Sequence, residues 1–199
     1  VQCVGGRWTA SLGQRMVPVP AVPGARLVCA DAGDLGRALA GLQGGSGRPE
    51  PDALYRAYAD EKPLLARIRA REGVADPCAA PERSPLQPPR APALLLSAAS
   101  VPLSRIMGLL VALAPGGVVW KPAPGAAASA HLLMRVLVPH AGGRLALLQG
   151  DHATGGLLAK AMTEGQGTLI WASDAAPPDG MDACTRVSAR GPATDPRRR

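Results

Sequence analysis

The stretch GLLVALAPGGVVWKPAPGAAASAHLLMRVLV, residues 108–138, decides the fold. A small-residue apolar helix runs into Pro115-Gly116-Gly117. Residues 117–120 then read as an apolar strand, Lys121-Pro122 as a turn, and residues 126–138 as a second helix. Helix, strand, turn and helix in this rhythm is the pattern of a parallel sheet with crossover connections. A lysine at the carboxyl end of such a strand stands where open α/β sheets bind their ligands.

The pattern continues on both sides. Residues 94–97 are a continuous apolar run, as expected of a strand covered on both faces. Pro102 opens a helix over residues 102–113. Ala141-Gly142-Gly143 stops the second helix. Further strands are expected at 145–148 and 168–171, with a helix at 154–162 between them. Residues 92–175 are therefore predicted to be α/β, a Rossmann-like core of about four parallel strands with crossover helices.

Residues 1–42 read as a small amino-terminal hairpin region and a helix. Cys3-Val4 and Trp8-Thr9 flank a Gly5-Gly6 turn. Residues 16–22 alternate apolar residues with proline and fit at best an edge strand, and residues 26–29 fit a second short strand. Asp31 is a natural N-cap for a helix over 32–42, with Leu35, Leu39 and Leu42 on one face. Residues 43–91 read as a linker with one helix, 51–71, followed by a loop from 73. Leu54, Tyr58, Leu65 and Ile68 form that helix's apolar stripe, and Pro63 is expected to kink or break it. Arg67, Arg69 and Arg71 are expected to cover its solvated side. Residues 176–199 read as a disordered basic tail ending in three arginines.

Composition narrows the function classes. Of 199 residues, 47% are apolar, but there is no Phe and only three Trp and two Tyr. The core must be built from Leu, Val, Ala and Met, which pack densely where small residues allow close approach. The 24 Gly and 21 Pro imply long irregular stretches. A net charge of +7 attracts anionic partners, yet the arginines are scattered and stacking aromatics are few, which argues against nucleic acid. The four cysteines form no C-x-x-C pair and match no zinc spacing. They are expected to be free thiols in a reducing, cytoplasmic setting. Residues 1–10 lack the form of a secretory signal. Residues 101–120 are too interrupted, by Arg105 and the Pro-Gly-Gly break, to span a membrane. His131, His140 and His152 are too far apart for a metal pair on one helix, so no metal site is expected.

No G-x-G-x-x-G, P-loop or nucleophile elbow is present. Lys121 is the strongest single candidate, its ammonium available to ribose hydroxyls or phosphate. Position alone leaves open a plain surface lysine on a turn. Gly150-Asp151, with Gly155 and Gly156 beyond, turns the chain into a helix. A glycine there lets a backbone approach a ligand, and the following amides can hold phosphate. An ordinary strand-to-helix loop has the same form.

Taken in order, these segments resemble the amino-terminal, cofactor-binding portion of the aldehyde dehydrogenase superfamily. VGGRWTAS at 4–11 is similar to the family's opening "GG-W" hairpin, and ADAGDLGRALAGL at 30–42 to its first helix. PLSRIMGLLVALAPGGVVWKPAP at 102–124 resembles the stretch ending "ALAAGN-VV-KP-E". LALLQGDHATGGLLAK at 145–160 and TLIWASD at 168–174 resemble the family's next two segments, the latter its "FTGS" strand. The resemblance implies an NAD or NADP site formed by Trp120, Lys121, Gly150 and Ser173, with weak binding and no metal.

The departures imply lost chemistry. Ser100 stands where the family has its catalytic asparagine, so an oxyanion donor is missing. Pro124 stands where it has a ribose-binding carboxylate, and Ala172 where it has the glycine of "FTGS". The family's nucleophilic cysteine and glutamate base belong to a later domain, and Cys184 has no matching context. The resemblance thus implies a degenerate, non-catalytic module, a pseudoenzyme with a structural or regulatory role, from which no turnover is expected alone. Two alternatives stay open. One is a fragment or subunit of an NAD(P)-dependent aldehyde oxidoreductase completed by another chain. The other is a basic protein that binds an anionic partner through Arg67, Arg69, Arg71 and the terminal arginines. A protein partner or a second copy is expected at an open sheet edge.

Overall fold

The computed structural model describes residues 1–45, 47–178, 181 and 184–189. The chain opens with the hairpin β1 (Gln2–Val4) and β2 (Arg7–Thr9), turning at Gly5 and Gly6. Both glycines have positive φ, which a residue without Cβ adopts freely. β3 (Met16–Pro18) and β4 (Arg26–Val28) pair as a separate antiparallel ribbon. α1 (Ala32–Gly44) starts at Asp31 with a reciprocal cap, in which Asp31 accepts from the Asp34 amide and Asp34 from the Asp31 amide.

α2 (Pro51–Arg71) begins on a proline that needs no partner for its missing N–H. The break expected at Pro63 does not occur, and the helix continues through it. Pro63 lies on the solvent side, as does Ala59, whose carbonyl loses its helical partner there, so water can replace the lost bond. A second expectation for this helix is corrected by Arg69. Rather than covering a solvated face it is fully buried, while Arg67 and Arg71 are exposed. The loop after α2 is irregular but closely packed. Gly108 and Gly116 let its backbone approach so tightly that a Cβ on either would lie within 2.3 Å of a loop carbonyl oxygen, that of Glu82 or Pro89.

The remainder alternates strand and helix: β5 (Ala93–Ser97), α3 (Leu103–Leu113), β6 (Val118–Pro122), α4 (Ala127–Leu137), β7 (Leu145–Leu147), α5 (His152–Glu164) and β8 (Thr168–Ala172). β9 (Thr185–Val187) follows in the stretch expected to be disordered and adds a strand beyond β8. Residues 190–199, including the terminal arginines, lie outside the described residues. The main sheet has the order β2-β1-β7-β6-β5-β8-β9. β5 to β9 are parallel, as expected of the four core strands, and β1 joins antiparallel to β7. The amino-terminal hairpin is thus continuous with the main sheet.

Successive strand residues point to opposite faces, and two apolar layers result. Ala93, Leu95, Val118, Trp120, Leu145, Leu147 and Ile170 pack against α2, α3 and α4. Leu94, Leu96, Val119, Ala146, Leu148 and Leu169 pack against α1 and α5. From β5 the chain steps outward through β6 to β7, then returns to place β8 on the other side of β5. The strand order therefore reverses between β5 and β8, and a crevice opens at the carboxyl ends of the strands at such a point.

Candidate functional site

At that reversal lies a cavity of about 420 Å³. Its floor is the carboxyl edge of β5, β6 and β8, contributing Leu96, Ser97, Lys121 and Trp171, and its walls include the first turn of α5. The lining is mostly apolar, with Lys121 its one lysine.

Lys121 lies within β6 and pairs in register with Leu96, whereas the sequence placed it on a turn after the strand. Its place in the strand sends its side chain to the α1/α5 face. It is only 4% exposed. A Cβ at Gly155 would lie 3.5 Å from Lys121 Nζ, so the amine rests over bare helix backbone. Among the described residues it makes no hydrogen bond or ion pair. Burial pushes its pKa down from 10.5 to about 8, although the charges of Asp151 and Cys29 pull the other way.

Ser173 also lines the cavity. Its amide donates to the Val187 carbonyl at 3.1 Å, and its hydroxyl oxygen accepts from the Ala175 amide at 3.1 Å. β9 therefore helps to hold Ser173 in place. Trp120 does not line the cavity. It points into the opposite layer, 1% exposed, and its indole N–H donates to Ser97 Oγ at 3.0 Å. Neighbours on one strand face opposite sides, so Trp120 and Lys121 cannot present their side chains to one ligand.

Gly150 also lies outside the lining. A Cβ there would lie 2.4 Å from Thr154 Oγ1, so glycine is required for the turn to pack beneath α5. The amides expected to hold phosphate are partly spent. Asp151 caps α5, its Oδ1 accepting from the Thr154 amide at 2.9 Å and hydroxyl at 3.0 Å. It also pairs with Arg15 at 2.8 Å. Burial alone would raise the Asp151 pKa, but the Thr154 hydrogen bonds and the charges of Arg15 and Lys121 hold it below the usual value.

Trp171, His152 and Met181 belong to the lining and had not been singled out in the sequence. Trp171 was readable, because it lies near the end of β8 and two residues before Ser173. It donates its indole N–H to the Ala175 carbonyl at 2.9 Å. Met181 has no sequence periodicity around it to place it. Pro124, standing where the resemblance has a carboxylate, forms part of the apolar wall.

The four cysteines are free. Burial pushes the Cys3 thiol up to about 11, and burial together with Asp76 raises Cys78 to about 11, so both are neutral thiols near pH 7. No group of three or more His, Cys, Asp or Glu that could hold a metal occurs among the described residues. No described helix is long and apolar enough to cross a membrane.

No family model and no curated relative matches the sequence. Solved structures do match its fold. An oxidoreductase from Marinobacter aquaeolei aligns with a TM-score of 0.62 at 15% identity, over 85% of this chain and 51% of that one. A salicylaldehyde dehydrogenase from Pseudomonas putida G7 aligns at 0.62 and 16%, over 86% and 46%. An NAD-dependent benzaldehyde dehydrogenase from Corynebacterium glutamicum aligns at 0.61 and 14%, over 94% and 52%. The chain thus has the fold of an aldehyde dehydrogenase portion and spans about half the length of these structures.

Proposed function

We propose that this chain is an aldehyde dehydrogenase-like nucleotide-binding frame that binds NAD or NADP weakly and acts as a non-catalytic structural or regulatory module. The observation that carries this reading is the cavity at the strand-order reversal with a lysine on its floor that no described residue pairs. Its apolar walls suit a purine ring, and Lys121 Nζ suits a ribose hydroxyl or phosphate oxygen. Ser173, just after β8, offers a second polar contact. The fit is loose, because the Thr154 amide is already occupied and Pro124 offers no acceptor for a ribose hydroxyl. A Kd on the order of 1 mM, about −4 kcal/mol, matches one ionic contact and an apolar base pocket.

A bound nicotinamide nucleotide would supply a hydride acceptor, but the residues described here supply no partner for that chemistry. Cys3 and Cys78 are buried neutral thiols, and Ser100 replaces an amide donor. A module of this kind acts through contact with another protein or a second copy. The sheet edges at β2 and β9 are where a further strand would add.

The test is a titration with NAD+ and NADP+ followed by tryptophan fluorescence, since Trp171 lies on the cavity wall. The expected result is a saturable change in the millimolar range that Lys121→Met weakens. A change that does not saturate, or that Lys121→Met leaves intact, removes the reading.

A further inference from the structure

We infer that Lys121 is a nucleophilic amine and that the cavity above it captures an apolar aldehyde as an imine on Nζ. This goes beyond nucleotide binding and does not rest on it. The two readings place different ligands on the same nitrogen.

Several observations converge on this assignment. The residue is 96% removed from solvent yet borders an open cavity of about 420 Å³. No donor or acceptor among the described residues hydrogen-bonds its amine, so its lone pair, when unprotonated, is not already engaged. The neighbouring Gly155 carries no side chain to cover the nitrogen. Leu96, Ala98, Pro124, Trp171 and Met181 form walls suited to an alkyl or aryl group rather than to a charged one. A lysine desolvated in an apolar pocket is an activated nucleophile toward carbonyl carbon. With its pKa lowered to about 8, about 300-fold more of this amine is neutral at pH 7 than of an ordinary lysine.

The step balances without any oxidant or reductant. The nitrogen lone pair forms a C–N bond to the carbonyl carbon, and the proton lost by nitrogen passes to the carbonyl oxygen, giving a carbinolamine. The C–O bond then breaks, the oxygen leaves as water with the second nitrogen proton, and a C=N bond remains. Aldehydes are favoured over ketones because the carbon must approach a nitrogen held at the cavity floor.

The sequence makes the test clean, because it contains only three lysines, Lys62, Lys121 and Lys160. Lys160 is exposed on α5 and serves as the internal reference. The chain is incubated with benzaldehyde and cyanoborohydride at pH 7, and each lysine's benzylation is read by peptide mass spectrometry. Lys121 is expected to react at least about tenfold faster than Lys160, a preference that is lost in urea. Lys121→Met should remove only the selective adduct. Gly155→Val, which places a branched side chain against Nζ, should slow labelling of Lys121 while leaving Lys160 unchanged, with circular dichroism confirming the fold. Equal labelling of Lys121 and Lys160 in the folded chain, or a preference that persists in urea, overturns the assignment. Selective labelling that about 10 mM NAD+ does not slow supports the imine and counts against nucleotide binding at Lys121.

Discussion

On one face of the sheet Arg69 is buried among partners, and on the other Lys121 is buried with none among the described residues. Arg69 donates to Glu72 at 3.0 Å, to Asp76 at 3.3 Å, and to the carbonyls of Ala99 and Val101 at 2.6 and 3.2 Å. The two carboxylates have further work. Glu72 accepts from the amide and hydroxyl of Ser129 in the first turn of α4. Asp76 accepts from the amides of Cys78 and of Leu103, the first residue of α3. Both carboxylates thus meet helix amino-terminal ends, where negative charge is favoured. One arginine thereby ties the end of α2 to the loop after it, to the turn leaving β5 and to two helices. Lys121 ties no two described elements together. A buried charge with every donor nitrogen engaged is architecture, whereas one that no described residue engages beside a cavity is a candidate to meet a ligand.

The largest effect expected from this contrast is at Arg69. Arg69→Met leaves Glu72 and Asp76 buried with no cation between them, and should destabilise the chain by about 3–5 kcal/mol in urea unfolding. A loss below about 1 kcal/mol would show that the cluster does not hold the fold together.

Lys121→Met should act in the opposite direction. The folded pKa of about 8 lies below the ordinary 10.5, so between these values the unfolded chain binds more protons and stability rises with pH. Below about pH 8 both states carry the proton and the penalty is complete, about 3 kcal/mol for the gap between the two values. Asp151 and Cys29 act on this charge, and His152 borders the same cavity. Lys121→Met should therefore raise stability at pH 7 by up to about 3 kcal/mol and flatten the rise between pH 8 and 10.5. Urea melts at pH 7 and pH 10 check both. A destabilised variant would mean that the lysine is engaged by a partner after all.

The smallest effect separates the two faces of one strand. Trp120→Phe removes the indole donor to Ser97 and should lose about 1 kcal/mol. Because Trp120 faces away from the cavity, aldehyde labelling of Lys121 should be unchanged. A variant whose labelling falls in step with its stability would show that the faces are coupled.

Much of this was legible in the chain. The run at 94–97, the Pro-Gly-Gly break before β6, the Asp31 cap and the Gly150-Asp151 turn marked where elements begin and end. Lys121 was placed at the carboxyl edge, although one strand turn too far out, because Pro122 looked like a terminator and instead closes β6 at its last position. The Trp120 side chain lies on the face opposite Lys121 for a reason the sequence itself contains, a period of two along the strand. Arg69 was not legible, because a basic stripe on a helix reads as a solvated face until a loop folds over it. Neither was β9, whose three residues are too few to show a period and find their partner only in β8.

Local periodicity and turn chemistry determined the parallel α/β frame and put a lysine at the carboxyl edge of its strands. Tertiary structure decided which buried charges are engaged. Arg69 met its partners from the loop after α2 and the turn leaving β5, whereas no acceptor within hydrogen-bond distance of Lys121 came with α5 or β8. Hydrogen bonding and desolvation depend on distances in space between elements, and spacing along a chain does not encode them.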